Sequence, residues 1–166
     1  TTPEPAGHLQ SSSILKAARI EAERRFDPDF GGHRGAPKFP SSFPIRSLLR
    51  SSRRANDPTA RRMAVETLRA MRQGGIYDQV GGGFHRYSTD QKWLVPHFEK
   101  MLYDNAMLAL AYLEAWQATG TVGFWETTRD TLDYLLREMT ASDGTFYSAT
   151  DADSLTSIGR REEGIF

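Results

Sequence analysis

The sequence predicts an all-α fold of antiparallel helical hairpins, and three observations carry that prediction. Five segments repeat apolar residues at helical spacing between recognisable caps. The connections between them alternate between short turns and long, glycine-bearing loops. Two of the long loops, GGIYDQ and DGTFYS, place aromatics just past a helix-ending glycine, which is a weak internal repeat. Antiparallel neighbours put all short turns at one end and all long loops at the other. An α/α solenoid or closed α/α toroid is therefore expected. Five helices are too few to close a toroid, so the expectation is the N-terminal part of one.

The first helix is expected over about Ser11 to Phe26, with Leu15, Ala18, Ala22 and Phe26 on one stripe and Asp27-Pro28 ending it. A short second helix follows Pro44 and carries Ile45, Leu48 and Leu49. The third opens with Asp57 as N-cap and Pro58 at its first position. Ala60, Ala64, Leu68 and Met71 form its inner stripe, and Gly74-Gly75 closes it. The fourth is expected from just after Pro96 to Gly120, with Phe98, Met101, Leu102, Leu108, Tyr112, Leu113 and Trp116 on a wide apolar face. The fifth spans about Val122 to Met139, with Trp125, Leu132, Leu135, Leu136 and Met139 inward. The domain is expected over residues 11–166. The opening TTPEPAGH lies in a linker over residues 1–10, and the closing REEGIF stops in mid-element, so a truncated chain is expected.

Composition excludes several function classes. Lys plus Arg and Asp plus Glu number 21 each, so no electrostatic footprint for nucleic acid or an anionic membrane exists. The Arg50, Arg53, Arg54 and Arg61, Arg62 clusters are expected on solvated helix faces. The 166 residues contain no cysteine, which excludes thiol redox chemistry, disulfides and thiolate metal ligation within them. The tripeptide His97-Phe98-Glu99 has the H-x-E form of zinc deaminases, but the cysteine pair their chemistry needs is missing. No apolar run approaches the ~20 residues of a membrane span, and no signal peptide opens the chain. A cytoplasmic location is expected.

The stretch Gly74 to Asp104 concentrates two of the four histidines, six aromatics, several carboxylates and the triple glycine Gly81-Gly82-Gly83. A connection that only closed a helix pair would need a few polar residues; a long decorated one on a helical scaffold builds a site. The triple glycine precedes a hairpin rather than a helix, so a dinucleotide or phosphate loop is rejected. Phe84 to Tyr87 and Trp93 to Val95 flank the turn Ser88 to Lys92 and predict a small β-hairpin, with His85 and Tyr87 on one face and Phe84 and Arg86 on the other.

His85 and His97 bracket that hairpin, where two imidazoles suit abstraction and return of a proton. His97 at a helix start would have its charged form disfavoured. Asp78, Asp151 and Asp153 lie in the decorated loops, and glycoside hydrolysis needs such a carboxyl pair. The candidate catalytic set is His85, His97, Asp78, Asp151 and Asp153. Tyr77, Arg86, Tyr87, Asp90, Trp93 and Tyr147 complete it as candidate substrate-binding residues, since flat rings with polar tips suit the faces of sugar rings. Lys100 and Asp104 are spaced to pair along a helix. Asp151-x-Asp153 lacks the acidic run of a calcium loop, and no metal site or other cofactor is expected.

Five motifs carry a family resemblance: APKFP (Ala36 to Pro40), GGIYDQVGGGFHRYSTD (Gly74 to Asp90), WLVPHFEKMLYDNA (Trp93 to Ala106), FYSATDADS (Phe146 to Ser154) and EEGIF (Glu162 to Phe166). With them the chain resembles the spermatogenesis-associated thioredoxin-domain proteins and their bacterial homologues from about Phe30 onward. The resemblance implies a thioredoxin-like domain followed by an (α/α)6 toroid of the six-hairpin-glycosidase type, similar to N-acylglucosamine 2-epimerases, with this chain as the start of the toroid. It implies a sugar or sugar-like small molecule as ligand, in epimerase-like or glycosidase-like chemistry. The alternative is a non-catalytic module that binds a protein or peptide for the attached thioredoxin-like domain. An open toroid leaves apolar helix faces uncovered, so self-association of the fragment is also expected.

Overall fold

The computed structural model describes residues 11–40 and 43–164. The linker expected over residues 1–10 and the last two residues of the EEGIF motif lie outside them. Among the described residues five α-helices form the scaffold: α1 (Ser11–Arg25), α2 (Ile45–Ala55), α3 (Pro58–Gln73), α4 (Leu102–Thr119) and α5 (Val122–Glu138). Six very short strands decorate the loops: β1 (Tyr87–Ser88), β2 (Pro96–His97), β3 (Lys100–Met101), β4 (Ala149–Thr150), β5 (Asp153–Leu155) and β6 (Arg161–Glu163). They pair antiparallel as β1 with β2, β3 with β4 and β5 with β6. Helices α2 and α3 pack together, as do α4 and α5, and α2 also meets α4. The molecule is part of an α/α toroid built from antiparallel helices. Among the described residues no helix is long and apolar enough to cross a membrane.

Local chemistry explains the third helix fully. The Asp57 carboxylate accepts from the backbone N–H of Thr59 (2.9 Å) and Ala60 (3.0 Å), and Pro58 sits at the first position. Its stripe of Ala60, Ala64, Leu68 and Met71 is fully buried. Loop residues complete the core: Phe84 stacks on Tyr112 at 5.3 Å, and Trp93 is 1% exposed with its indole N–H donating to the Phe30 carbonyl at 2.8 Å. Gly32 lies against that indole at φ +67, and a Cβ there would come within 2.7 Å of Trp93 Cζ2, so only glycine fits. Asn105 ties the loop to α4. Its amide accepts from the Phe84 N–H (2.7 Å) and donates to the carbonyls of Phe84 (3.0 Å) and Met101 (2.9 Å).

The three long loops gather at one end. The Lys38 and Ser88 backbones exchange hydrogen bonds of 2.8 Å, and Lys100 pairs with Thr150 across β3 and β4.

Several expectations are corrected. Helix α4 starts at Leu102 rather than after Pro96, because the intervening backbone is spent on distant partners. Pro96 and His97 pair with Ser88 and Tyr87, the Glu99 carbonyl accepts from Arg86 N–H, and Leu102 N–H donates to Ser148. Tertiary pairing thus overrides a helix that the apolar spacing supports. The hairpin is displaced accordingly, pairing Tyr87–Ser88 with Pro96–His97, and Lys100 turns to Asp78 instead of Asp104.

On α5 the inward face is not the leucine face. Trp125, Leu132 and Leu136 are exposed, whereas Thr127, Thr128, Thr131 and Tyr134 are buried beside Leu135. The threonine hydroxyls donate to the carbonyls four residues back, of Gly123, Phe124 and Thr127, which lets these three threonines enter the interior with their hydroxyls satisfied. Trp116, also expected inward, is 36% exposed and lies 5.3 Å from the Trp125 ring.

Candidate functional site

The Asp78 loop is the foundation of the candidate site. Just past α3, Asp78 Oδ1 accepts from the N–H groups of Val80 (2.9 Å) and Gly81 (2.8 Å), folding the triple glycine back on itself. Lys100 Nζ then donates to Asp78 Oδ2 at 2.7 Å and to the Gly82 carbonyl at 2.8 Å. The same ammonium lies 4.4 Å from the centre of the Tyr134 ring. Burial alone would raise the Asp78 carboxyl, but Lys100 and the loop N–H groups hold it below the ordinary carboxylate range. Burial pulls the Lys100 ammonium down against the pull of Asp78.

Next to this pair stands His85, 3% exposed, its ring edge-on to Phe98 at 5.1 Å. Its Nδ1 lies 3.0 Å from the Phe98 carbonyl. A carbonyl only accepts, so Nδ1 carries the proton and Nε2 is left with a lone pair. Burial lowers the imidazole pKa, helped by the charge of Lys100 and opposed by the Phe98 carbonyl. The ring is accordingly neutral at pH 7, in the state a base requires.

A cleft of about 370 Å³ runs between the Asp78 loop, α5 and the last loop, lined by Asp78, His85, Lys100, Tyr134, Glu138 and Asp151 among others. Of the expected catalytic residues it brings together Asp78, His85 and Asp151. Asp151 itself pairs with Arg161 at 2.8 Å and accepts from Asp153 N–H at 3.2 Å. Asp153 is exposed on β5, and Tyr147 is exposed beside β4.

A second cluster adjoins the first. Tyr87 stacks on His97 (4.9 Å, 21°) and lies 5.0 Å from Phe39. His97 Nδ1 lies 2.8 Å from Glu163, which also accepts from Phe98 N–H at 2.9 Å. Arg86 pairs with Glu99 at 2.8 Å. His97 therefore stands in a strand rather than at a helix start, and it ties β6 to β2.

Three expected ligand contacts are built into the fold instead. Trp93 is in the core, on a backbone with a positive φ of 65. Tyr77 is buried edge-on against Phe84 at 4.9 Å, with Arg72 4.0 Å over its ring. The Asp90 carboxylate is occupied by the N–H groups of Lys92 (2.6 Å), Val95 (2.6 Å) and Leu94 (3.2 Å). Conversely, periodicity on α5 hides Tyr134 and Glu138, which lie in the cleft. The available signal was the face Thr127, Thr131, Tyr134, Glu138, a polar stripe at helical spacing. Among the described residues no group of three or more His, Asp or Glu is placed to hold a metal ion.

Helical hairpins with their long loops gathered over a cleft define a segment of a six-hairpin α/α toroid, and solved structures agree. A sugar epimerase from a ruminal bacterium superposes with a TM-score of 0.73 at 15% identity, covering 84% of this chain and 40% of that one. Cellobiose 2-epimerase from Bacillus thermoamylovorans gives 0.71 at 14%, covering 84% and 41%. The likeness at such identity is one of fold.

No family model matches the chain. Human spermatogenesis-associated protein 20 is 44% identical over 151 residues, 88% of this chain and 19% of that protein. An uncharacterized Caenorhabditis elegans protein is 33% identical over 170 residues, 95% of this chain and 22% of its own length. The chain belongs to the spermatogenesis-associated protein 20 family and spans about a fifth of the length of these relatives.

Proposed function

We propose that this segment forms one wall of a carbohydrate-binding cleft in an α/α toroid, with His85 as the proton-accepting group. The carrying observation is the bond between His85 Nδ1 and the Phe98 carbonyl, which leaves Nε2 as a neutral base on a cleft. The fold neighbours include a cellobiose 2-epimerase, a D-mannose isomerase and an α-mannanase, which favours a sugar as ligand. In this reading Nε2 takes the proton on the carbon beside a sugar carbonyl, giving an enediolate. Return of the proton from Nε2 to the neighbouring carbon, with the hydroxyl proton of the first carbon passing to the former carbonyl oxygen, isomerises the sugar; inversion of the same carbon needs a second proton donor on its opposite face, which in this reading the remainder of the toroid supplies. Asp78, held ionised by Lys100, orients hydroxyls and does not act as the acid.

The test is proton NMR of the full-length protein in D₂O with D-glucose, D-mannose, N-acetyl-D-glucosamine and cellobiose. Loss of the C2 proton signal, abolished by His85→Ala in a variant that circular dichroism shows to be folded, is the expected result. New anomeric signals would indicate hydrolysis instead. Silence across the panel from folded protein would sink the catalytic reading.

One observation favours a second reading. Asp78, Asp90 and Asp151 each have their carboxylates engaged within the chain, as in a scaffold. In that case the toroid binds a protein or peptide for the thioredoxin-like domain implied by the family, and sugars leave the spectrum unchanged.

A further inference from the structure

Of the buried side-chain polar atoms on the described residues that line the cleft, one stands without a hydrogen-bond partner. Tyr134 is 3% exposed, and its hydroxyl is sheltered from solvent without a hydrogen bond. The Thr150 side chain stands close enough to favour the phenolate, while burial, the larger effect, disfavours it. Leaving a buried hydroxyl unpaired is destabilising, and phenylalanine would fill the same space without that cost.

The ring itself is held tightly. Lys100 lies over it at 4.4 Å, and Gly83 presses against it so closely that a Cβ would come within 2.5 Å of Cδ1.

The charges around it decide what ligand fits. The cleft is lined by the acids Asp78, Glu138 and Asp151 and the bases Lys100 and Arg137. Asp78 is bound to Lys100, Glu138 to Arg137 and Asp151 to Arg161. Among the described residues lining the cleft no cation is left over to meet a phosphate or carboxylate, which argues for an uncharged ligand rich in oxygen acceptors.

Resting on the sugar reading above and extending it, we propose that the Tyr134 hydroxyl is a ligand-anchoring donor, which hydrogen-bonds a hydroxyl or ring oxygen of an unphosphorylated sugar. Tyr134 thereby becomes a binding residue supplied by a helix rather than by the decorated loops.

The experiment compares wild type and Tyr134→Phe in the full-length protein, by saturation-transfer NMR titration and by melting temperature. The probes are the sugar of the panel above that binds wild type most tightly, and the 6-phosphate of D-glucose. Expected are roughly threefold to tenfold weaker binding of the neutral sugar by the variant, an equal or higher melting temperature, and poorer binding of the phosphate than of the neutral sugar by wild type. Equal sugar affinity in the two proteins would overturn this inference while leaving the sugar reading intact. A melting temperature lowered by several degrees would overturn it too, since the hydroxyl would then have a partner inside the chain. Tighter binding of the phosphate would refute the ligand class. No sugar binding by wild type would remove both readings.

Discussion

Asp78→Asn tests whether the Asp78–Lys100 pair holds the candidate site together. At 2.7 Å and an effective dielectric constant of about 20, the gross attraction is about 6 kcal/mol. Desolvation of two buried groups cancels much of it, and removal of one partner of such a pair costs about 3–5 kcal/mol. Asparagine keeps an oxygen for the N–H groups of Val80 and Gly81, so the lower end applies, about 3 kcal/mol. The strain falls on the loop whose amides bond internally, Gly82 N–H to the Asp78 carbonyl and His85 N–H to that of Ile76. Hydrogen exchange read by mass spectrometry should show about a hundredfold faster opening over residues 78–85 and little change in α2 or α3. The pH dependence has a definite sign. The Asp78 carboxyl is depressed in the folded state, so its contribution is complete above the unfolded value near ~3.9. It disappears as pH falls through the lower folded value, and wild type should then exchange like the variant. Unchanged protection in Asp78→Asn at pH 7 would refute this role for the pair.

Two further substitutions probe the same architecture. Asn105→Ala removes three hydrogen bonds to Phe84 and Met101 from a fully buried site, and should destabilise the protein by about 2–4 kcal/mol in urea unfolding. Gly83→Ala places a Cβ against Tyr134 at a φ of +77, so it should lower the melting temperature by several degrees and displace Tyr134; a neutral result would show that the ring can move.

How much of the molecule was legible in the chain depends on the range of the interactions. Helix caps and stripes are local, which is why Asp57-Pro58 and the Ala60, Ala64, Leu68, Met71 stripe can be read directly. The alternation of short and long connections is likewise a one-dimensional property, and it carried the toroid architecture. The loop motifs carried the family.

What escaped depended on partners far along the chain. Residues 96–101 have helical apolar spacing, yet their backbone pairs with residues near 86–88 and 148–150, and nothing local announces that competition. The inner face of α5 is a second case. Leucine is the ordinary inward residue, but here threonines that satisfy their own hydroxyls are buried instead, and only packing distinguishes the two faces. The site divided in the same way. His85 and Asp78 were visible as unusual residues in an unusual loop. The inward turn of Trp93, the neutral Nε2 edge of His85 and the unpaired hydroxyl of Tyr134 are three-dimensional facts, because each rests on which carbonyl, cation or glycine stands next to a side chain once the loops have folded over one end of the helices.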